Sequence, residues 1–148
     1  MDETAFLIIR QLAIATCLVT ATVMVHFFGL LLLTLFVRMH RPRLARDRMQ
    51  FDQVAVLIAA VLGLFAIHSI EIWIYALLFD FMQVFPTLED ALYFSLTSYA
   101  TIGYGDVVLS HHWRILGAIE GVNGILLLGW SIAFLVAVVG QFRHMQHR

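Results

Sequence analysis

Cysteine occurs once in the 148 residues, as Cys17 inside an apolar run. A single thiol excludes a disulfide framework and any metal site built from cysteines. Lysine is absent: all nine basic side chains are arginine. Charge of either sign is scarce, at 13% of residues, and sums to −1. No large basic surface therefore points to nucleic acid. Catalytic equipment is lacking as well. There is no nucleophile–base set and no phosphate-cradling loop, so the chain does not read as an enzyme. The opening residues, MDETAFLIIRQ, carry acids where a secretory signal needs positive charge. The apolar run behind them is too long for a signal core, so the first hydrophobic segment is expected to stay in the mature protein.

What abounds is apolar surface. Hydrophobic residues make up 61% of the chain, and mean hydropathy is +0.90. A soluble domain is about half apolar and about a quarter charged. The surplus needs lipid as its solvent, and the reading is an integral membrane protein. A helical crossing takes about 20 apolar residues. Leu12 to Val37, Val54 to Phe79 and Trp113 to Val139 each supply one.

Between the second and third spans, Asp80 to His112 is too apolar for a soluble loop and too short to cross twice as helix. Thr87 is placed to cap a helix, with Glu89 and Asp90 in its first turn to meet the helix dipole. A helix over Leu88 to Tyr99 would be about 18 Å long, roughly half a membrane. A half-crossing helix must return as irregular backbone. That is tolerated only where protein buries it or where it lines a watery path.

Orientation follows from the arginines. Arg38, Arg41, Arg43, Arg46 and Arg48 lie between spans one and two, and Arg143, His144, His147 and Arg148 follow span three. Both stretches belong on the cytoplasmic side. Asp2, Glu3, Asp80, Glu89, Asp90 and Asp106 belong outside. The N-terminus is then outside, the C-terminus inside, and the half-crossing stretch enters from the outer face. Pro42 and Asp47 interrupt the arginine run, which sits between spans, so it reads as a positive-inside anchor near anionic lipid rather than a voltage sensor.

The stretch TSYATIGYGDVVL, Thr97 to Leu109, sets two glycines between greasy segments. Gly103 and Gly105 permit backbone conformations that L-residues resist. With them TIGYG can run extended with its carbonyl oxygens on one side, and rings of such oxygens replace the hydration shell of a potassium ion.

ALYFSLTSYATIGYGDVVLS resembles the pore loop of potassium channels, whose signature is T-V/I-G-Y-G followed by aspartate. With its flanking spans, Val54 to Gln141 is similar to the bacterial two-helix-pore ion channel family, here with an additional N-terminal span. The resemblance implies an all-α membrane protein: three transmembrane helices, a re-entrant pore helix, and a selectivity-filter loop. Residues 1–50 would hold the first span and the arginine-rich loop, and residues 51–148 the pore. One chain carries one filter loop, so a ring of carbonyls requires a homotetramer, each chain joined by three identical subunits in membrane lipid.

By position, Thr101, Ile102, Gly103, Tyr104 and Gly105 would form the filter. K+ would bind at Thr101 to Tyr104 as the transported ion, with no organic cofactor. Tyr104 would lean on Tyr93 and Phe94, and Asp106 would sit behind the outer mouth. The expected activity is passive, potassium-selective conduction across the plasma membrane. The rivals are a less selective cation channel and a non-conducting membrane subunit. Two positions depart from the family pattern. Ala100 stands where a second threonine is common, and Thr97 where many members carry a carboxylate.

Polar groups inside spans are expensive and often functional. His68 and Glu71 share a helical face, as do Glu120 and Asn123. These faces are expected to meet behind the filter as a supporting network, the alternative being a Glu71 near the outer interface and reached by water. Gly124, with Gly121 and Gly129, is a candidate gating hinge in span three, although Gly117 and Gly121 also form a close-packing pair. Arg10 is expected to snorkel to the outer interface. His111, His112, His144 and His147 read as solvated residues, with proton gating or a paired-histidine metal site as the sharper alternatives. Cys17, His26 and Gly29 are the unusual members of span one. Packing outside the pore helices, binding an unidentified regulatory partner and sealing against lipid stay equally open for it.

Overall fold

A computed structural model describes residues 3–44 and 49–146, with side chains for residues 3–40 and 53–140. Four helices follow in order: α1 (Glu3–Leu44), α2 (Met49–Phe81), α3 (Leu88–Tyr99) and α4 (Arg114–Gln146). Three of them are long and apolar enough to cross a membrane: Glu3–His40, Gln53–Phe81 and Arg114–Gly140. The first two contain the spans expected from the sequence, and the third begins at Arg114, one residue after the expected Trp113. α1 continues to Leu44, so the start of the expected arginine-rich loop is helical backbone. The side chains of Arg41, Arg43, Arg46, Arg48, Arg143, His144, His147 and Arg148 lie outside the described residues, as does Asp2.

Helix directions follow from who packs on whom. Ala15 and Leu18 of α1 cluster with Tyr75 and Phe79 of α2 and Leu116 of α4. Farther along, Leu30 meets Leu64 and Ile67, with Phe134 beside them. At the far end Val37 meets Val56 and Val138. Numbers rise together in α1 and α4 and fall in α2. The first and last spans therefore run one way and the second runs back. α1 packs on α2 and α4, and those same two helices hold α3.

The exterior is apolar. Leu32, Leu62, Phe65 and Val136 are among many large exposed hydrophobic side chains, far more than a water-soluble monomer shows. The protein is a multi-pass membrane protein.

α2 ends where Gln83 adopts a left-handed conformation, φ 53°. The Val84 N–H closes on the Phe79 carbonyl at 2.9 Å, satisfying a carbonyl that the helix end leaves open. α3 then starts at the expected cap. Thr87 is extended, and its hydroxyl oxygen accepts from the Asp90 N–H at 3.1 Å while the hydroxyl donates to Asp90 Oδ2 at 2.8 Å. The buried side of α3 carries Ala91, Phe94, Ser95, Thr97 and Tyr99. Phe94 stacks with Phe79 and Phe85, ring centroids 5.7 and 5.2 Å away, which fixes the helix against α2.

Candidate functional site

The chain leaves α3 through a turn held by the helix's own last carbonyls. Thr101 N–H donates to Ser98 O at 3.0 Å; Ile102 N–H and Gly103 N–H both donate to Thr97 O, at 2.8 and 3.1 Å. Thr97's carbonyl, not its side chain, anchors the stretch. Its hydroxyl turns back to the Tyr93 and Phe94 carbonyls, both at 3.0 Å.

Every second residue that follows is left-handed: Thr101 at φ 58°, Gly103 at 55° and Gly105 at 81°. An ordinary strand points successive carbonyls to opposite sides. Reversing the sign of φ at alternate residues turns the intervening peptides and brings the oxygens round to a common side. Glycine does this freely. Threonine does not: a left-handed β-branched residue is a genuine outlier, costing roughly 1–2 kcal/mol. Backbone strain of this kind gathers at functional sites. The sequence marked the two glycines; nothing in it marked Thr101 as strained.

Residues 101–106 are all exposed on the single chain, including Ile102 at 53% and Tyr104 at 71%. Tyr104 is thus largely open on the single chain. Tyr93 donates its hydroxyl to Asp106 Oδ2 at 2.8 Å. Asp106 Oδ1 accepts from Val107 N–H at 3.1 Å. The Tyr93 hydroxyl holds the Asp106 carboxyl below its ordinary value, and the same bond holds the Tyr93 hydroxyl above its own. Thr97 makes no side-chain bond to Asp106; the phenol one helical turn earlier does.

Behind this stretch the polar groups of the spans fall into separate sets. Glu71, fully buried, has polar neighbours on three sides: His26 Nδ1 lies at 2.9 Å, His68 Nδ1 at 3.0 Å, and the Tyr99 hydroxyl donates to it. The expected alternative of a water-reached Glu71 at the outer interface does not describe this carboxylate. It sits against the last residue of α3. Asn123 Nδ2 donates to Thr22 Oγ1 at 2.8 Å and to Tyr75 Oη at 3.2 Å. Glu120 is fully buried, and among the described residues neither of its oxygens has a partner. The pairs expected to form one network are thus two bonded clusters, with Glu120 joined to neither by a hydrogen bond.

α1 enters both clusters, through His26 and Thr22. It also supplies Gln11, whose Oε1 accepts from Leu116 N–H at 3.3 Å. Of these, sequence reasoning singled out only His26, and that without a role; their partners lie 45 to 105 positions away. Arg10 lies over the Trp113 ring, 5.0 Å from its centroid, an aromatic anchor consistent with a side chain reaching an interface.

α4 is one continuous helix through Gly121, Gly124 and Gly129. At Gly124 a Cβ would collide with the Tyr99 carbonyl, and at Gly121 one would crowd the Ser98 carbonyl. Gly129 faces open space. The small residues at 121 and 124 let α4 approach the end of α3 closely.

Neither a search of curated proteins nor a search of solved structures returned a match. A family model described as "Ion channel" matches residues 55–141. The match takes in most of α2, all of α3, the left-handed stretch and most of α4, and leaves α1 outside. It covers more than half of the chain, which therefore belongs to the ion channel family of two-span pores, the family of the potassium-channel pore.

Proposed function

We propose that this protein is a potassium-selective channel, conducting K+ passively through a pore shared by four identical chains, and not an enzyme. One observation carries the reading: the alternating left-handed residues Thr101, Gly103 and Gly105 directly after a helix about half a membrane long. Carbonyls of residues 101–104 would coordinate dehydrated K+, and Gly105 would form the outer mouth. The C-terminal end of α3 would turn its negative dipole toward the ion. The exposure of residues 101–106 on one chain supports assembly, because a filter edge left open in the monomer is covered when four meet on an axis.

α4 would line the cavity and α2 would face outward, with α1 packed on both. The arginine distribution supports an outside N-terminus and a cytoplasmic C-terminus in the plasma membrane. Membrane lipid would cover the apolar exterior, and any regulatory partner would add to this set.

The test is purified protein in liposomes with K+ inside and Na+ outside. The expected result is K+ flux by this chain alone, with a reversal potential near that of K+. Flux without preference for K+ over Na+ would leave a less selective cation pore. Absence of flux would leave a non-conducting subunit. Either result overturns the reading.

A further inference from the structure

His26 of α1 and His68 and Glu71 of α2 place two imidazole nitrogens and a carboxylate oxygen within 4.8 Å of one another. His26 and Glu71 are fully buried, and the His68 side chain is 12% exposed. The rings are held in place. The centroid of His26 lies 5.2 Å from that of His68 and 5.3 Å from that of Trp130. Both Nδ1 atoms face Glu71, at 2.9 and 3.0 Å. Both Nε2 atoms face a single oxygen, Ser131 Oγ on α4, at 3.4 Å from His26 and 2.9 Å from His68.

Two fillings of this cluster pair its polar atoms. In one, His26 carries its proton on Nδ1 toward Glu71, His68 carries its proton on Nε2 toward Ser131 Oγ, the serine hydroxyl donates to His26 Nε2, and the Tyr99 hydroxyl lies beside His68 Nδ1 and Glu71. In the other, both rings carry the proton on Nε2, and one serine oxygen receives both N–H groups with its two lone pairs. The two Nδ1 atoms are then bare, facing a carboxylate, and a cation between them completes the set. The outer N–H bonded to a fixed acceptor is the usual support of a metal-ligating histidine.

The geometry points to a divalent transition-metal site, Zn2+ by its donor set, formed by His26 Nδ1, His68 Nδ1 and a Glu71 oxygen and oriented by Ser131. Two nitrogens and a carboxylate are zinc ligands, and bonds of about 2.0–2.2 Å place such ligands a little over 3 Å apart. The three ligand atoms lie within 4.8 Å of one another, so small side-chain shifts would bring them to that spacing. A fourth oxygen is at hand: Tyr99 Oη lies 2.9 Å from His68 Nδ1. The bound ion would clamp α1, which the family match does not include, onto α2 beside the last residue of α3.

The test uses the full chain in detergent, titrated with Co2+ and with Zn2+ after removal of carried metal. The expected result is one ion per chain, with the visible bands of low-symmetry Co2+ displaced by Zn2+. H26Q and H68Q should abolish the bands. H111Q/H112Q, which alters exposed histidines elsewhere, should keep them. S131A leaves all three ligands in place, so it guards against misfolding of the histidine variants, and it should weaken Zn2+ binding about 10–100-fold. Binding that survives H26Q and H68Q, or that ignores S131A, overturns the assignment. So does a wild-type chain that binds neither ion, including one whose stability follows pH alone. Binding is read without any flux measurement, so the site and the channel reading fail separately.

Discussion

Asp106 is held by one phenol and one backbone N–H, and both bonds require its charged form or are strengthened by it. Its carboxyl titrates below the ordinary value because of Tyr93, so this clamp contributes fully above about pH 3.9 and is lost as pH falls through the still lower folded value. Tyr93 is shifted up by the same bond, so its share is complete below about pH 10 and is lost only as pH rises past its folded value. Across the neutral range the pair is constant. Y93F should therefore lower K+ flux at pH 7 and remove the loss expected of wild type as pH falls below about 3.9; a variant matching wild type in both respects would show that the clamp does not support the pore. Gly124 and Gly129 separate on similar grounds. G124A drives a methyl into the Tyr99 carbonyl and should cost about 1–3 kcal/mol, as overpacking does. G129A meets nothing and should gain roughly 0.5–1 kcal/mol from better helix propensity. Thermal unfolding in detergent reads both, and an unchanged midpoint for G124A would return Gly124 to the role of a hinge.

α1 behaves as part of the pore-bearing body rather than as an attachment to it. Thr22 is the shorter of the two contacts of the Asn123 amide, so T22V should cost about 1–3 kcal/mol by stranding a buried donor. The same substitution at exposed Thr20, whose hydroxyl bonds only within α1, should be close to neutral. Equal thermal midpoints for T22V and T20V would mean that α1 can be loosened without consequence. The sequence could not supply this picture, and the reason is physical. Local signals act within a few residues: the Thr87 cap with its two acids predicts α3 to the residue, because the cap is read out three positions away. The His68–Glu71 pair was visible for the same reason, being three apart on one helix. His26, Thr22 and Gln11 find partners on other helices, which no periodicity encodes. Glu120 and Asn123 share a face yet part company, because Asn123 points to α1 and α2 while Glu120 has no bonded partner among the described residues. The run from Arg38 to Arg48 reads as a loop from its charge and Pro42, yet the backbone stays helical to Leu44.

On the scale of the whole molecule, the left-handed stretch is incompletely supported by its own chain. Backbone bonds from Thr97 and Ser98 hold residues 101–103. Among the described residues no backbone bond reaches Tyr104 or Gly105, and Tyr104 is 71% exposed. Thr101 adds roughly 1–2 kcal/mol of left-handed strain. Such a segment keeps one conformation only if something outside the chain covers it. In the proposed tetramer that cover is the neighbouring loops, and the charge facing their oxygens is the ion itself. An ion bound only by the assembled ring stabilises the assembly by mass action, about 2.7 kcal/mol when its concentration is a hundred times its Kd. Light scattering in mild detergent should give the mass of four chains, and the temperature at which they separate should fall when K+ is replaced by a bulky organic cation. The amides of Tyr104 and Gly105 should exchange slowly in K+ and quickly once the chains part. A dimeric mass would break the four-fold arrangement. A four-chain assembly indifferent to K+ would sever the link between the strained backbone at Thr101 and the ion it is proposed to hold.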